Sequence, residues 1–488
     1  MTNGTPTAVH LILLTILLAV LKVHGGRNSI PADHHNRRYL NHIQKLESFK
    51  ASLALNQNST SPPPSTSPPP ATSPSSGPRV YRVTTYGADP TGKTDSIKSL
   101  IAAISDAFQV LNDDILIEGI ANLGGAQINL EGGIYLISSP LRLPKTGKGN
   151  FVIYGGTIKA SKNFSNDGYL LEMTSDASNS NYNYEYVTLR DIMFDSNFNG
   201  GGIKVINCLR VSIDNCYFAH FTTNGILVQG GHETNIRNSF LGQRITAGGD
   251  PSERSFSGTA INLAGNDNSI MNVVIFSASI GIVVSGQANL ISGVHCYNKA
   301  TGFGGTGIYI GLPGLTQTRI VNSYLDYTGI VAEDPVQLHV SNCFFLGDAY
   351  VLFKSIKGKI NGVNIVDNMF SGGNKGIEIV QLDEKNGKFN DIDQVIVDRN
   401  NVNGMKLKAT VAKGLVEGNG SLWSLDFNPI LLFPNLIKSV QYTLISTQLG
   451  SFPNHALRNV SDNRIVIEAN QALPASVYVS VDQGASSI

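Results

Sequence analysis

Gly202-Ile-Lys-Val-Ile-Asn-Cys-Leu-Arg-Val-Ser-Ile-Asp-Asn-Cys-Tyr-Phe-Ala-His-Phe-Thr-Thr-Asn-Gly225-Ile-Leu-Val228 is the stretch that decides the fold. It contains one full period of a repeat. A Gly-Ile-x-Val/Ile segment begins at Gly202 and again at Gly225. It recurs at Ala260, Gly281, Gly307, Gly329, Tyr350 and Gly376, at intervals of 23, 35, 21, 26, 22, 21 and 26 residues. Between these segments lies a second one of the form Asn-x-x-Phe/Leu/Ile. It is seen at Asp191, Asn215, Asn238, Asn272, Gly293, Asn322, Asn342, Asn368 and Asn400. Short β-branched runs at this period, punctuated by Asn and Gly, read as a stacked β-solenoid. A solenoid presents long side grooves, and loops from successive coils can line up there along a polymer.

The asparagines have a structural explanation. One Asn at the same turn of every coil can form a hydrogen-bonded ladder along the axis, satisfying turn groups that burial would leave unpaired. No catalytic role is assigned to them.

The chain has 488 residues, 50 of them Gly, and a formal net charge of zero. No basic stripe marks a nucleic-acid interface, so nucleic acid is not an implied partner. Residues 8–21 form an apolar run too short for an ordinary membrane span. Polar sequence follows, and the run reads as a secretory signal peptide, with an N-terminal anchor helix as the alternative. No later stretch could cross a bilayer. Sequons at Asn58, Asn163, Asn419 and Asn459 agree with secretion. Cys208, Cys216, Cys296 and Cys343 lack zinc-ligand spacing and read as buried single thiols.

Residues 27–50 are charged and have the pattern of a short helix. Residues 59–78 are a Pro/Ser/Thr linker that favours extended polyproline II. The polar segment and linker together occupy 27–78, after a signal of 1–26. The folded domain starts near Arg79, with a strand over Val80–Thr85 and a turn-rich loop over Tyr86–Asp95. A helix over Ser96–Val110 follows, N-capped by Thr94 or Asp95. This helix would cover the open end of the first coil, since bare solenoid ends expose strand edges. The solenoid is expected to run to about 420. A β-rich C-terminal cap follows over 421–488, with strands at Gln441–Ser446, Arg464–Ala469 and Ser476–Val481.

Strands of neighbouring coils lie ~4.8 Å apart, so residues in one column are neighbours however distant in sequence. The informative column precedes each Gly-Ile segment. It holds Asp195, His220, an insertion with Arg244, Asp250, Glu253 and Arg254, then Ser277, His295, Tyr297, Lys299, Asp326, Asp348, Asn374 and Lys375. Asp326 and Asp348 fall on consecutive coils. Two adjacent carboxylates push one pKa upward, leaving a proton donor beside an ionised base. Glycosidic hydrolysis needs that combination. Asp is also a favoured turn residue, which gives the same pattern a purely structural origin. A second candidate group is the insertion with Arg244, Asp250, Glu253 and Arg254, read as lying beside His232 and Glu233 and lining the groove. Tyr297, Phe303 and Tyr327 are candidates for stacking on sugar rings.

Val80-Tyr-Arg-Val-Thr-Thr-Tyr-Gly-Ala-Asp-Pro-Thr-Gly-Lys-Thr-Asp-Ser96 resembles the opening of pectin-degrading right-handed parallel β-helix proteins. The stretch Gly258–Phe370 resembles the quartet-type plant polygalacturonases. It includes Val294-His-Cys-Tyr-Asn-Lys-Ala-Thr-Gly-Phe-Gly-Gly-Thr-Gly-Ile308 and Tyr324-Leu-Asp-Tyr-Thr-Gly-Ile-Val-Ala-Glu-Asp-Pro335. The likeness spans about residues 79–488. It implies an all-β right-handed parallel β-helix in a secreted plant protein that hydrolyses α-1,4-galacturonan with inversion, as a monomer, on pectin, without metal or organic cofactor.

The common polygalacturonase motifs Asn-Thr-Asp, Gly-Asp-Asp, Gly-His-Gly and Arg-Ile-Lys do not occur intact. Gly347-Asp-Ala-Tyr-Val-Leu-Phe-Lys354 is similar to the second and keeps Asp348. Asp326 lies one coil earlier, where the first motif would supply its Asp. Asn374 stands in the coil expected to hold the His, and His232 and His295 are candidates for its role. Gly404-Met-Lys-Leu-Lys408 resembles the fourth. The resemblance thus implies Asp326 and Asp348 as the acid/base pair. His295, Lys299, Tyr327, Lys354, Lys406 and Lys408 are the substrate contacts, the last two equally readable as a solvated strand face. Two alternatives stay open. One is a Ca²⁺-dependent pectate lyase served by Arg244, Asp250, Glu253 and Arg254. The other is a pectin-binding wall protein without turnover.

Overall fold

The computed structural model describes residues 79–110, 114–144, 147–174, 182–244, 251–446, 450 and 452–484. The apolar run at 8–21, the segment at 27–50, the linker at 59–78, the Asn58 sequon and Asp250 lie outside the described residues. No helix among the described residues is long and apolar enough to cross a membrane.

The described chain is a right-handed parallel β-helix in which each coil contributes to three ladders. Ladder A holds the Gly-Ile segments except the one at Gly376, whose coil joins the ladder later, at Val380. Its ten strands stack in sequence from Leu141–Arg142 to Val380–Asp383. Ladder B follows in each coil, as at Ser212–Asp214 and Asn235–Arg237, and ladder C completes it, as at Tyr217–Ala219 and Phe240–Gly242. All three ladders are parallel and in register from coil to coil. Ile203 pairs with Ile226, Ile226 with Ile261 and Ile261 with Ile282.

Alternation decides what each strand buries. In ladder C the middle residues Phe218, Leu241, Ile275, Cys296, Leu325, Phe345 and Phe370 point inward, and their flanks point out. Like residues stack in the core, with the rings of Phe194 and Phe218 5.0 Å apart and those of Phe345 and Phe370 4.4 Å apart. All four cysteines are free and buried. Burial pushes the Cys208 and Cys216 thiols up to about 12 and Cys343 up to about 11, so they are inert packing groups.

The corner between ladders B and C is a one-residue turn in the left-handed region. Asp191, Asn215, Asn238, Asn272, Asn322 and Asn342 occupy it with φ between 51° and 58°, and Gly293 with φ 65°. Asn tolerates this conformation better than most residues. In the last two coils the expected column is off by one, because Asp367 and Arg399 take the turn (φ 59° and 54°). Asn368 and Asn400 sit one position later and face inward. Asn368 Oδ1 accepts the Cys343 N–H at 3.0 Å, its Nδ2 donates to the Val340 carbonyl at 3.1 Å, and Asn400 Oδ1 accepts the Asn368 N–H at 3.0 Å. Ser239 and Ser323 do the same for Cys216 and Val294. The stacked polar ladder therefore exists in pieces: Asn215 donates to Asp191 at the turn itself, and Ser239, Ser323, Asn368 and Asn400 bond at the position after it, between coils that carry Cys or Val there.

At the N-terminal end the strand is Val80–Arg82, and a 3₁₀ turn over Val83–Tyr86 replaces the rest of the expected strand. Thr91–Asp95 leaves the expected loop to pair with Ile134–Leu136. The helix is Ile97–Ala107 and buries Ile97, Leu100, Ala103, Ile104 and Ala107. Its N-cap is Ser96, not Thr94 or Asp95. Asp95 instead accepts the Ile97 N–H and ties the helix start to Ser138.

At the other end an antiparallel sheet begins at Val411, earlier than the expected boundary. Val411–Asp426 pairs along its length with Arg464–Asp482, one strand where the sequence suggested two. Ser439–Ser446 and His455–Ser461 complete the sheet. Its own core holds Trp423, Ile465, Ile467 and Val477.

Candidate active site

The corner between ladders C and A is the irregular one. Its loops differ in length from coil to coil, and one of them is the insertion after Gly242. Backbone bonds chain the loops together. The Lys299 N–H donates to Ala278, Thr301 to Tyr327, Tyr327 to Leu346 and Asp348 to Ser371. The outward residues of ladder C run beside this corner as an aromatic row. Ring centroids are 6.1 Å apart for Phe276 and Tyr297, 4.7 Å for His295 and Tyr297, 5.5 Å for His295 and Tyr324, and 4.7 Å for Tyr324 and Phe344.

Asp326 ends the ladder C strand Tyr324–Asp326, with its side chain 24% exposed. Its Oδ2 lies 2.8 Å from His295 Nε2 on the preceding coil, and its Oδ1 is buried without a hydrogen-bond partner. Asp348 sits in the corner loop with φ 68° and its side chain 14% exposed. It accepts the Gly373 N–H at 2.8 Å and pairs with Lys375 at 2.9 Å, both on the following coil. Burial pushes this carboxyl up. The Lys375 ammonium and the Gly373 N–H outweigh that and hold it below the usual aspartate range.

The two aspartates do not share a column, contrary to the sequence alignment. Asp326 is in register with Leu346, two residues before Asp348. From Asp326 to Ile330 the corner takes four residue steps. From Leu346 to Val351 it takes five, although Ile330 and Val351 are again in register. The extra residue puts a bulge where Asp348 lies. One inter-strand step and two residues of rise set the two backbones about 8 Å apart. Each carboxyl leans to a different neighbour, so mutual repulsion is not what sets their protonation. The ring of Tyr327, half exposed with φ 60°, lies over Gly347 between them.

The other sequence candidates divide. Lys406 is exposed beside Gly376, two coils after Asp348, and joins Lys375 as a cation at the end of the site. Lys299 donates to the Arg254 carbonyl at 3.1 Å. Lys354 is on the outer face of ladder A and pairs with Glu333 at 2.9 Å, which also accepts from Tyr309. Lys408 is turned into the C-terminal cap and donates to the Asn428 and Leu431 carbonyls, so it is a structural contact and not a substrate one.

The second candidate group does not assemble. His232 pairs with Asp267 and Glu233 with Arg210 at the corner between ladders A and B, while Arg244, Glu253 and Arg254 are at the C–A corner. Glu253 is fully buried and accepts the Ala300 N–H at 3.0 Å, so it fastens the insertion to the next corner loop. The guanidinium of Arg254 stacks over Phe303 and that of Arg244 over Phe198. Among the described residues no three His, Cys, Asp or Glu side chains come together as a metal site.

Two groups that the sequence placed in the column were given no role there. Lys375 is the partner of Asp348. Asp195 shares the Asp326 column five coils upstream. It bonds His220 at 2.7 Å and Lys159 at 3.2 Å. Burial raises the Asp195 pKa, but His220, the Asn197 N–H and Lys159 together lower it.

Residues 80–306 match the family model described as rhamnogalacturonase A/epimerase, pectate lyase-like. Over 479 residues the chain is 59% identical to polygalacturonase QRT3 of Arabidopsis thaliana, covering 98% of each chain. Among solved structures, ORF18 of Geobacillus virus E2 aligns with a TM-score of 0.50 and 10% identity, over 81% of this chain and 78% of its own. This likeness speaks to the fold alone. An endo-xylogalacturonan hydrolase from Aspergillus tubingensis aligns with a TM-score of 0.42 and 12% identity, over 67% of this chain and 92% of its own.

Proposed function

Because the chain belongs to the polygalacturonase family of pectin-degrading β-helix proteins, we propose that it is a hydrolase of α-1,4-galacturonan and works at the C–A corner with Asp348 and Asp326. The observation that carries the residue assignment is the opposite pairing of the two aspartates. Lys375 and the Gly373 N–H hold the Asp348 carboxyl below the usual aspartate range, and Asp326 is hydrogen-bonded to His295. The first is assigned as the base and the second as the acid, on consecutive coils.

In hydrolysis a water adds to the anomeric carbon as the bond to the leaving oxygen breaks. Asp348 takes the proton from that water. The Asp326–His295 unit supplies the proton that the leaving oxygen needs. Inversion, which the family implies, needs a water held between base and acid. Tyr327 and the row Tyr297, Tyr324 and Phe344 offer apolar faces for sugar rings. Lys375 and Lys406 face the uronate carboxylates. The polymer would be demethylated pectin of the cell wall, reached by secretion. The sequons at Asn163, Asn419 and Asn459 all lie on exposed residues, which supports that route.

Polygalacturonate incubated with the purified protein, with and without EDTA, tests this reading. New reducing ends without unsaturated uronide absorbance, unchanged by EDTA, are expected. Unsaturated, calcium-dependent product would replace the hydrolase by a lyase. Binding without product would leave a wall-binding protein.

A further inference from the structure

Ladder B is the face of each coil opposite the C–A corner, and none of the chemistry above uses it. A groove of ≈ 800 Å³ lies on it. Its floor is a column of outward residues from consecutive coils, Leu290, Arg319, His339 and Asn364. Three inter-strand steps make this row about 14 Å long. Gln317 and Gln337 border it, with Gln317 Nε2 donating to Gln337 Oε1 at 3.0 Å.

The charge of this groove is one-sided. The exposed guanidinium of Arg319 has no hydrogen bond or ion pair among the described residues. His339 Nε2 reaches only Ser341 Oγ, at 3.0 Å. No lining residue is acidic, and Asp367, whose carboxylate lies near enough to interact with His339, is paired with Arg399 at 2.9 Å. Most other arginines on the molecule have a carboxylate or an aromatic ring beside them, as Arg399 has Asp367 and Arg254 has Phe303. An unpaired guanidinium in an acid-free groove is a fork for a carboxylate. The amides of Gln317, Gln337 and Asn364 supply donors and acceptors for hydroxyl groups. A row with one guanidinium, a histidine and amides on successive coils fits a linear sugar acid.

We propose that this groove is a second, non-catalytic binding site for a galacturonate chain, which anchors the protein to its polymer while the opposite corner cuts. The choice of occupant rests on the hydrolase reading above. The site itself rests on Arg319 and its acid-free surroundings. A protein with two such faces holds two chains, or two parts of one, and its residence on insoluble pectin exceeds what the catalytic corner alone would give.

The test uses the full chain carrying Asp348→Asn, so that the polymer is not consumed, applied to immobilised polygalacturonate. Retention is expected, and adding Arg319→Ala should weaken it about tenfold, the scale of one charge-assisted hydrogen bond. His339→Gln is a second variant on the same row and should weaken retention in the same direction. Arg319→Ala alone should leave hydrolysis of soluble galacturonate trimer unchanged, with an unchanged melting temperature. Equal retention with and without both substitutions would overturn the proposal. So would equal retention on neutral galactan, or loss of trimer hydrolysis in the Arg319 variant. If the unsubstituted chain releases no product from polygalacturonate yet loses retention with Arg319→Ala, the hydrolase reading fails and the groove stands.

Discussion

Each coil turns twice between ladder B and ladder A, and the two corners are built on opposite rules. The B–C corner turns at a single left-handed residue in every coil from Asp191 to Arg399. Ser239, Ser323, Asn368 and Asn400 back part of it with hydrogen bonds between coils. The C–A corner varies in length, carries the insertion, and places Asp195, Asp326 and Asp348 in three different local geometries. The same stacking that makes one corner rigid lets the other vary. A loop that protrudes costs the ladders nothing as long as the next strand returns to register. Stability is thereby invested in the constant corner and chemistry in the variable one.

The largest expected effect is at the variable corner. Asp348→Asn removes the base and should lower kcat/KM on polygalacturonate by about 10²–10⁴-fold, with a melting temperature near that of the unsubstituted chain. A comparable loss of stability would break the division between the corners. At the constant corner the effect should reverse. Asn368→Leu strips the Cys343 N–H and the Val340 carbonyl of their partners and leaves Asn400 Oδ1 with less to accept. It should cost about 2–4 kcal/mol in denaturant unfolding, at unchanged kcat per folded molecule.

Lys375→Ala sharpens the account of the base. The ion pair depresses the folded pKa of Asp348. Stability from that pairing is therefore present above the ordinary aspartate value of 3.8 and is lost as pH falls through the lower folded value. Without Lys375 the pKa rises, so the acid limb of the kcat/KM profile should move to higher pH. An unmoved limb would mean that another group sets it. The smallest expected effect concerns the thiols. Cys208, Cys216 and Cys343, buried with raised pKa values, should resist alkylation at neutral pH in the folded chain and react only after denaturation.

The fold was legible in the sequence because its period is carried by core residues. Ile203, Ile226, Ile261 and Ile282 had to recur for the interior to stack, and counting them recovers the register. The site was legible only in part, because loop length is invisible to a count of core residues. Asp348 lies two residues past Leu346, the register partner of Asp326, in a corner one residue longer than the one before it, and no propensity marks such an offset. Asn carried a different ambiguity. The same residue type serves the left-handed turn at Asn342 and the buried ladder at Asn368, and only the backbone tells the two uses apart. His232 and Glu233 were misplaced for a third reason. They adjoin the insertion in sequence but leave ladder A at a corner that faces elsewhere.

The central claim is that catalysis belongs to the C–A corner, where Asp326, bonded to His295, is the acid. The most direct measurement is the rate of reducing-end release from polygalacturonate by Asp326→Asn and by Asn368→Leu, alongside their melting temperatures. The account predicts a loss of activity without destabilisation for the first and destabilisation without loss of specific activity for the second. An Asp326→Asn protein that melts normally and hydrolyses at the unsubstituted rate would contradict it.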